Sequence, residues 1–143
     1  MLIWMRGEPR ENEARAPMTP YGAADMVAKG WRVVVEDAAD RCIPTASYLD
    51  VGCEIVENGS WVDAPDDAII LGLKELPEDG TPLRHRHIMF GHAFKGQASG
   101  RVLLDRSRRA GERCLIWNIW WMKRGDASPR LAIGPDTPGP RFR

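Results

Sequence analysis

Short apolar runs alternate with amphipathic stretches along most of this chain. Residues 2–6 form the first apolar run, followed by a charged loop that ends near Arg15. Thr19-Pro20 then reads as a helix start, with a side-chain cap and proline at the first helical position. Residues 21–29 continue as an amphipathic helix, and Gly30 is the expected stop. Residues 32–36, RVVVE, are rich in β-branched side chains and predict a second strand. The pattern then predicts a short helix over 44–50 ended by Gly52, a third strand over 53–56 and a turn at Asn58-Gly59-Ser60. A fourth strand is predicted over 68–73, nearly all apolar and so buried on both faces, and a fifth over 87–91. Apolar positions between 97 and 109 predict a further helix with a basic outer face, stopped by Gly111.

Strand–helix alternation of this kind predicts an α/β fold: a Rossmann-like parallel sheet with flanking helices. In such sheets ligands bind beyond the carboxyl ends of the strands. Lys74 closes the fourth strand and His92 closes the fifth, so two proton carriers are expected at that edge. Arg15, in the loop after the first strand, is within reach of the same rim. Taken alone, a strand-end lysine or histidine or a loop arginine is ordinarily just solvated.

Composition narrows the choice. Acidic and basic residues balance at 20 each, which leaves no footprint for nucleic acid or an acidic membrane surface. No run of about 18 apolar residues is present, so no membrane span is expected. The first residues lack the long apolar region and cleavage site of a secretion signal, and a cytoplasmic location is expected. Cys42, Cys53 and Cys114 show no CxxC spacing and are expected to be free thiols. His85 and His87 form an H-x-H pair, but no further ligands cluster around it in the sequence, so no metal is expected. The Asn58-Gly59-Ser60 sequon is read as a turn. Oligomeric state stays open.

Four stretches carry a family resemblance: MRGEPRENEARAPMTP (5–20), GWRVVVEDAADRC (30–42), GSWVDAPDDAIILGLKELPE (59–78) and TPLRHRHIMFGHAFKGQA (81–98). Through them residues 4–111 resemble the N-terminal part of the NAD-dependent, L-lysine-forming saccharopine dehydrogenases. The general fold is shared with the N-terminal domains of alanine dehydrogenase and transhydrogenase. The resemblance implies oxidative cleavage of saccharopine to L-lysine and 2-oxoglutarate, with NAD taking the hydride. It implies Lys74 of GLKE and His92 of FGHAFK as the acid/base pair, and Arg15 of EAR as a substrate holder. Glu75 and Lys95 are implied as further lining residues, and Arg10 stands where the family can have a lysine. The chemistry suits these types. Imine formation, hydrolysis and amine departure each move a proton, and well-placed acid/base groups supply about 10²–10⁴-fold in rate. Cations such as Arg15 and Lys95 suit a substrate carrying several carboxylates.

After Gly111 the resemblance stops. The tail reads ERCLIWNIWWMKRGDASPRLAIGPDTPGPRFR, crowded with Trp and then with Pro, Gly and Arg. Trp and Met each have a single codon, so the underlying bases are largely fixed. Regrouping them one position earlier across residues 116–123 forces Glu, Val, Asp and Glu and permits Leu-Glu-Tyr-Leu-Val-Asp-Glu, which resembles what the family carries next. The expectation is one base missing near Gly111, a partial family domain over 1–111, and an irregular out-of-frame tail over 112–143. An unpaired sheet edge is expected where the family's next strand would lie. No GxGxxG fingerprint for a dinucleotide appears. The chain alone is therefore expected to be inactive, as one wall of a site. The alternative is a binding module that recognises carboxylates or amino acids without catalysis.

Overall fold

The computed structural model describes residues 1–74, 76, 79, 83–90, 101–103, 105 and 106, and the backbone of 114–117. The strands are β1 (Leu2–Met5), β2 (Arg32–Asp37), β3 (Glu54–Glu57), β4 (Ile69–Leu71), β5 (Arg86–Phe90) and β6 (Cys114–Trp117). They form a six-stranded sheet in the order β3-β2-β1-β4-β5-β6. Every neighbouring pair is parallel. The expected Rossmann-like α/β sheet is therefore present.

The RVVVE run forms β2 because a central parallel strand is covered on both faces and β-branched side chains pack well there. Val33 and Val35 join Met5 and Cys53 beneath α1 (Pro20–Ala28) and α2 (Ala46–Leu49), with Ala23 and Tyr48 as the buried helix residues. Val34 faces the other way, into a layer with Leu2, Ala64, Ala68 and Ile70. Trp61, on a 3-10 turn at Ser60–Asp63, packs against that layer. It also packs against a third cluster of Leu76, Leu83, Met89 and Leu103.

The helix α1 starts as the sequence predicts. Thr19 accepts the Gly22 N–H on its hydroxyl (3.2 Å), and Pro20 follows it. Gly30, at φ 79°, ends it in the left-handed region. The second helix is shorter than predicted, and the expected turn at 58–60 runs on into the 3-10 turn. Residues 101–103, 105 and 106 are helical, inside the stretch predicted. Arg106 does not belong to a basic outer face. It is buried, and its guanidinium meets Asp79 at 2.9 Å. The edge expected to be bare at β5 is paired: β6 lies along it, from Ile88 opposite Leu115 to Phe90 opposite Trp117. These four residues of the segment expected to be irregular are a strand.

Candidate functional site

The strand order fixes where a site can form. From β1 the chain steps outward through β2 to β3, then returns to β4 on the other side of β1. The connections leaving β1 and β4 run to opposite sides, which makes their carboxyl ends the switch point where such sheets bind ligands. Both the loop after β1 and Lys74 after β4 lie at this switch point.

The loop after β1 is shaped by its own hydrogen bonds. Asn12 takes a left-handed φ of 66°, which asparagine tolerates better than most residues. The Glu13 N–H returns to the Arg10 carbonyl at 3.2 Å and closes a turn over residues 10–13. The Ala14 carbonyl accepts the Cys42 N–H at 2.7 Å and ties the loop to the segment after β2. Glu13 is thereby set with its carboxylate against Lys74.

Glu13 is the hub. Its Oε1 accepts from Arg15 Nε (2.7 Å) and its Oε2 from Arg15 Nη2 (2.6 Å), a bidentate pair. Lys74 Nζ stands 3.7 Å from the same Oε2. The hydrogen bond from the Arg15 guanidinium holds the Glu13 carboxyl down to about 2; the Arg15 backbone N–H and the charges of Arg15 and Lys74 add to this, and partial desolvation opposes it. The same pairing raises the already high pKa of Arg15. Lys74 is 28% exposed and Arg15 67% exposed, while Glu13 is only 9% exposed. The two cations thus present themselves to solvent over a carboxylate that fixes their separation.

Of the residues singled out from sequence, Lys74 and Arg15 are brought together by this carboxylate. Arg10 is exposed in the same loop, and its carbonyl closes the turn that carries Glu13. His92, Glu75 and Lys95 lie outside the described residues. The sequence reading missed Glu13, although it stands two residues before Arg15 in EAR. A carboxylate beside a guanidinium, both facing a strand-end lysine, was the available signal.

A second carboxylate, Glu36 at the end of β2, is fully buried. It accepts from Trp4 Nε1 and Trp61 N through Oε1, and from Gly7 N and Gly59 N through Oε2. It ties the start of the β1 loop to the turn after β3.

The histidines before and within β5 lie behind this rim, in the core. His85 and His87 meet Trp61 edge-on, at ring-centroid distances of 6.4 and 5.4 Å. Burial pushes the pKa of His87 down to about 3, helped by the charges of Arg6, His85 and Arg106. Among the described residues no three His, Cys, Asp or Glu side chains gather as metal ligands do. Cys53 is a buried free thiol whose pKa burial raises, and Cys42 is exposed and free. Among the described residues no helix is long and apolar enough to cross a membrane.

The parallel sheet thus gathers lysine, arginine and a carboxylate at its switch point. Residues 4–115 match the family described as "Alanine dehydrogenase/PNT, N-terminal domain", and the chain belongs to that family. Over 110 residues it is 46% identical to a saccharopine dehydrogenase [NAD(+), L-lysine-forming] of Emericella nidulans, covering 76% of this chain and 29% of that one. A protein of the same description from Yarrowia lipolytica is 41% identical over 104 residues, covering 73% of this chain and 28% of that one. The chain thus spans well under a third of the length of these relatives. Among solved structures, the transhydrogenase of Sinorhizobium meliloti superposes with a TM-score of 0.64 at 19% identity, over 87% of this chain and 36% of that one. An L-alanine dehydrogenase gives 0.63 at 18% identity, over 81% and 32%. At these identities the superpositions speak for the fold.

Proposed function

We propose that this chain supplies the acid/base and carboxylate-holding wall of an NAD-dependent saccharopine dehydrogenase, the enzyme that releases L-lysine and 2-oxoglutarate. The observation that carries the reading is the meeting of Lys74 and Arg15 across Glu13 at the switch point, in a chain whose long matches are to enzymes of that name. In this reading Lys74 and His92 move protons during formation and hydrolysis of the imine. Arg15, with Arg10, Glu75 and Lys95, holds the substrate's carboxylates and amine. A reducing compartment such as the cytoplasm suits the free thiols.

The described residues do not form a seat for NAD. A dinucleotide rests on a short glycine turn running into a helix N-terminus with free N–H groups. Here the connection from β1 to α1 spans residues 6–19. At the start of α1, Pro20 has no N–H, and Thr19 accepts the Gly22 N–H on its hydroxyl and the Ala23 N–H on its carbonyl. No step through the nicotinamide is therefore assigned to these residues.

Calorimetric titration of the chain with saccharopine, L-lysine and 2-oxoglutarate tests the reading. Saturable binding of the carboxylate ligands is expected, weakened about tenfold or more by Arg15→Ala, the scale of a lost charge-assisted hydrogen bond. NADH absorbance is expected to stay at the blank. Failure of all three ligands to bind would overturn the assignment, and NADH formation would overturn the expected inactivity of this chain alone.

A further inference from the structure

A lysine just past the end of a strand has left the ladder, so its backbone groups need other partners to be held. At Lys74 those partners come from the end of β1. Glu8 accepts the Leu73 N–H on Oε1 (2.6 Å) and the Lys74 N–H on Oε2 (2.9 Å). Arg6 donates through Nη2 to the Lys74 carbonyl and through Nη1 to the Gly7 carbonyl (3.0 Å). Arg6 Nη1 lies 3.6 Å from Glu8 Oε2, and the two side chains are 1% and 5% exposed. Thus the N–H and the C=O of one residue are each gripped by a buried charged side chain.

Gly72 is the third part. The Arg6 guanidinium lies so close over it that a Cβ there would fall on Arg6 Cζ, Nε and Nη2. Any side chain at 72 would block the path by which Arg6 reaches past β4. The strands on either side form a firm base, because Arg6 N–H bonds to Leu71 O (3.1 Å) and Gly72 N–H to Ile88 O (2.9 Å).

We propose that Arg6, Glu8 and Gly72 form a clamp that positions Lys74 against Glu13, and that they are positioning residues of the site. This rests on the reading of Lys74 as an acid/base group. A buried ion pair serving the fold alone would not need both its members bonded to the backbone of the same residue, nor a glycine kept bare beneath it. The arrangement places the ammonium where Glu13 meets it and leaves one face of it open to solvent.

The test is zero-length carbodiimide cross-linking of Glu13 to Lys74, read by peptide mass spectrometry in the parent chain and in Gly72→Ala, Glu8→Gln and Arg6→Lys. Amide exchange at Val34 and at Leu73 and Lys74 is measured in the same samples. The expected result is a cross-link yield lowered about fivefold or more, as small displacements of reacting groups cost rate steeply. Exchange at Leu73 and Lys74 should rise while Val34 stays protected. Where a variant loses Val34 protection, Arg6→Lys decides, since it keeps the charge, adds no volume and loses the fork. A yield within about twofold of the parent in a folded variant, with Lys74 still protected, would overturn the clamp. Cross-linking needs no substrate, so a chain that binds no ligand would sink the functional reading and still leave the clamp tested.

Discussion

At the residue scale, the pH dependence of this domain is expected to come mainly from a core side chain. His87 has an ordinary pKa of 6.5 and is held near 3 in the fold, so the native state keeps it neutral. Between those values the unfolded chain binds a proton that the native chain refuses, and stability falls as pH falls. The slope is about 1.4 kcal/mol per pH unit for one such group. Urea midpoints from about pH 7 to about pH 4.5 measure this, and His87→Leu is expected to flatten the curve there without losing the fold. Glu13 acts lower. Its carboxyl, ordinarily 4.5, sits near 2, so its contribution is present above 4.5 and fades as pH drops toward 2. Glu36 sets a different kind of cost. Glu36→Ala would leave the part-buried N–H donors of Trp4, Gly7, Gly59 and Trp61 without the acceptor they share. A loss of about 3 kcal/mol or more is expected, against about 1–3 for Glu36→Gln, which keeps one acceptor; urea denaturation ranks the two.

At the scale of elements, the hydrophobic pattern located β1 to β5 to within a residue or two, because both faces of β2 and β4 must be apolar in a covered parallel sheet; β6 fell in the segment expected to be irregular. The ends of α1 were equally legible. The Thr19 cap is a local hydrogen bond, and Thr19→Ala is expected to cost about 1 kcal/mol. Gly30 has open space where a Cβ would sit, so Gly30→Ala should cost only its left-handed backbone, about 1–2 kcal/mol. Thermal melts of these two variants should therefore shift modestly, whereas Gly72→Ala meets the Arg6 guanidinium and should shift more. Arg106 was misread because a run of arginines looks like a solvated face. Its burial depends on Asp79, more than twenty residues earlier in the chain, and no local pattern reports such a partner.

At the scale of the molecule, the strand order decides the site. Lys74 and Glu13 are far apart in the chain and meet only because β4 returns beside β1. The same scale bears on the tail. We propose that a base is missing near the Gly111 codon and that residues 112–143 are read out of frame; resequencing the gene there is expected to recover it, and an intact frame would overturn the idea. Whatever its origin, the segment contributes β6, which covers the backbone edge of β5. The family match itself runs to residue 115, past Gly111. Removing residues 112–143 is expected to expose that edge, lowering the melting temperature and raising light scattering on heating.

By itself the sequence determined the succession of strands and helices as far as β5, the caps of α1 and the residue types available at the strand ends. These are local matters: side-chain periodicity and capping chemistry act within a few residues. Only the tertiary structure decided that Glu13 joins Lys74 to Arg15, that Arg6 and Glu8 grip the lysine's backbone over a bare Gly72, and that His87 and Arg106 are core groups. Each of those depends on segments that the sheet brings together. Burial and charge pairing are properties of that approach, and the order of residues along the chain does not encode them in any local form.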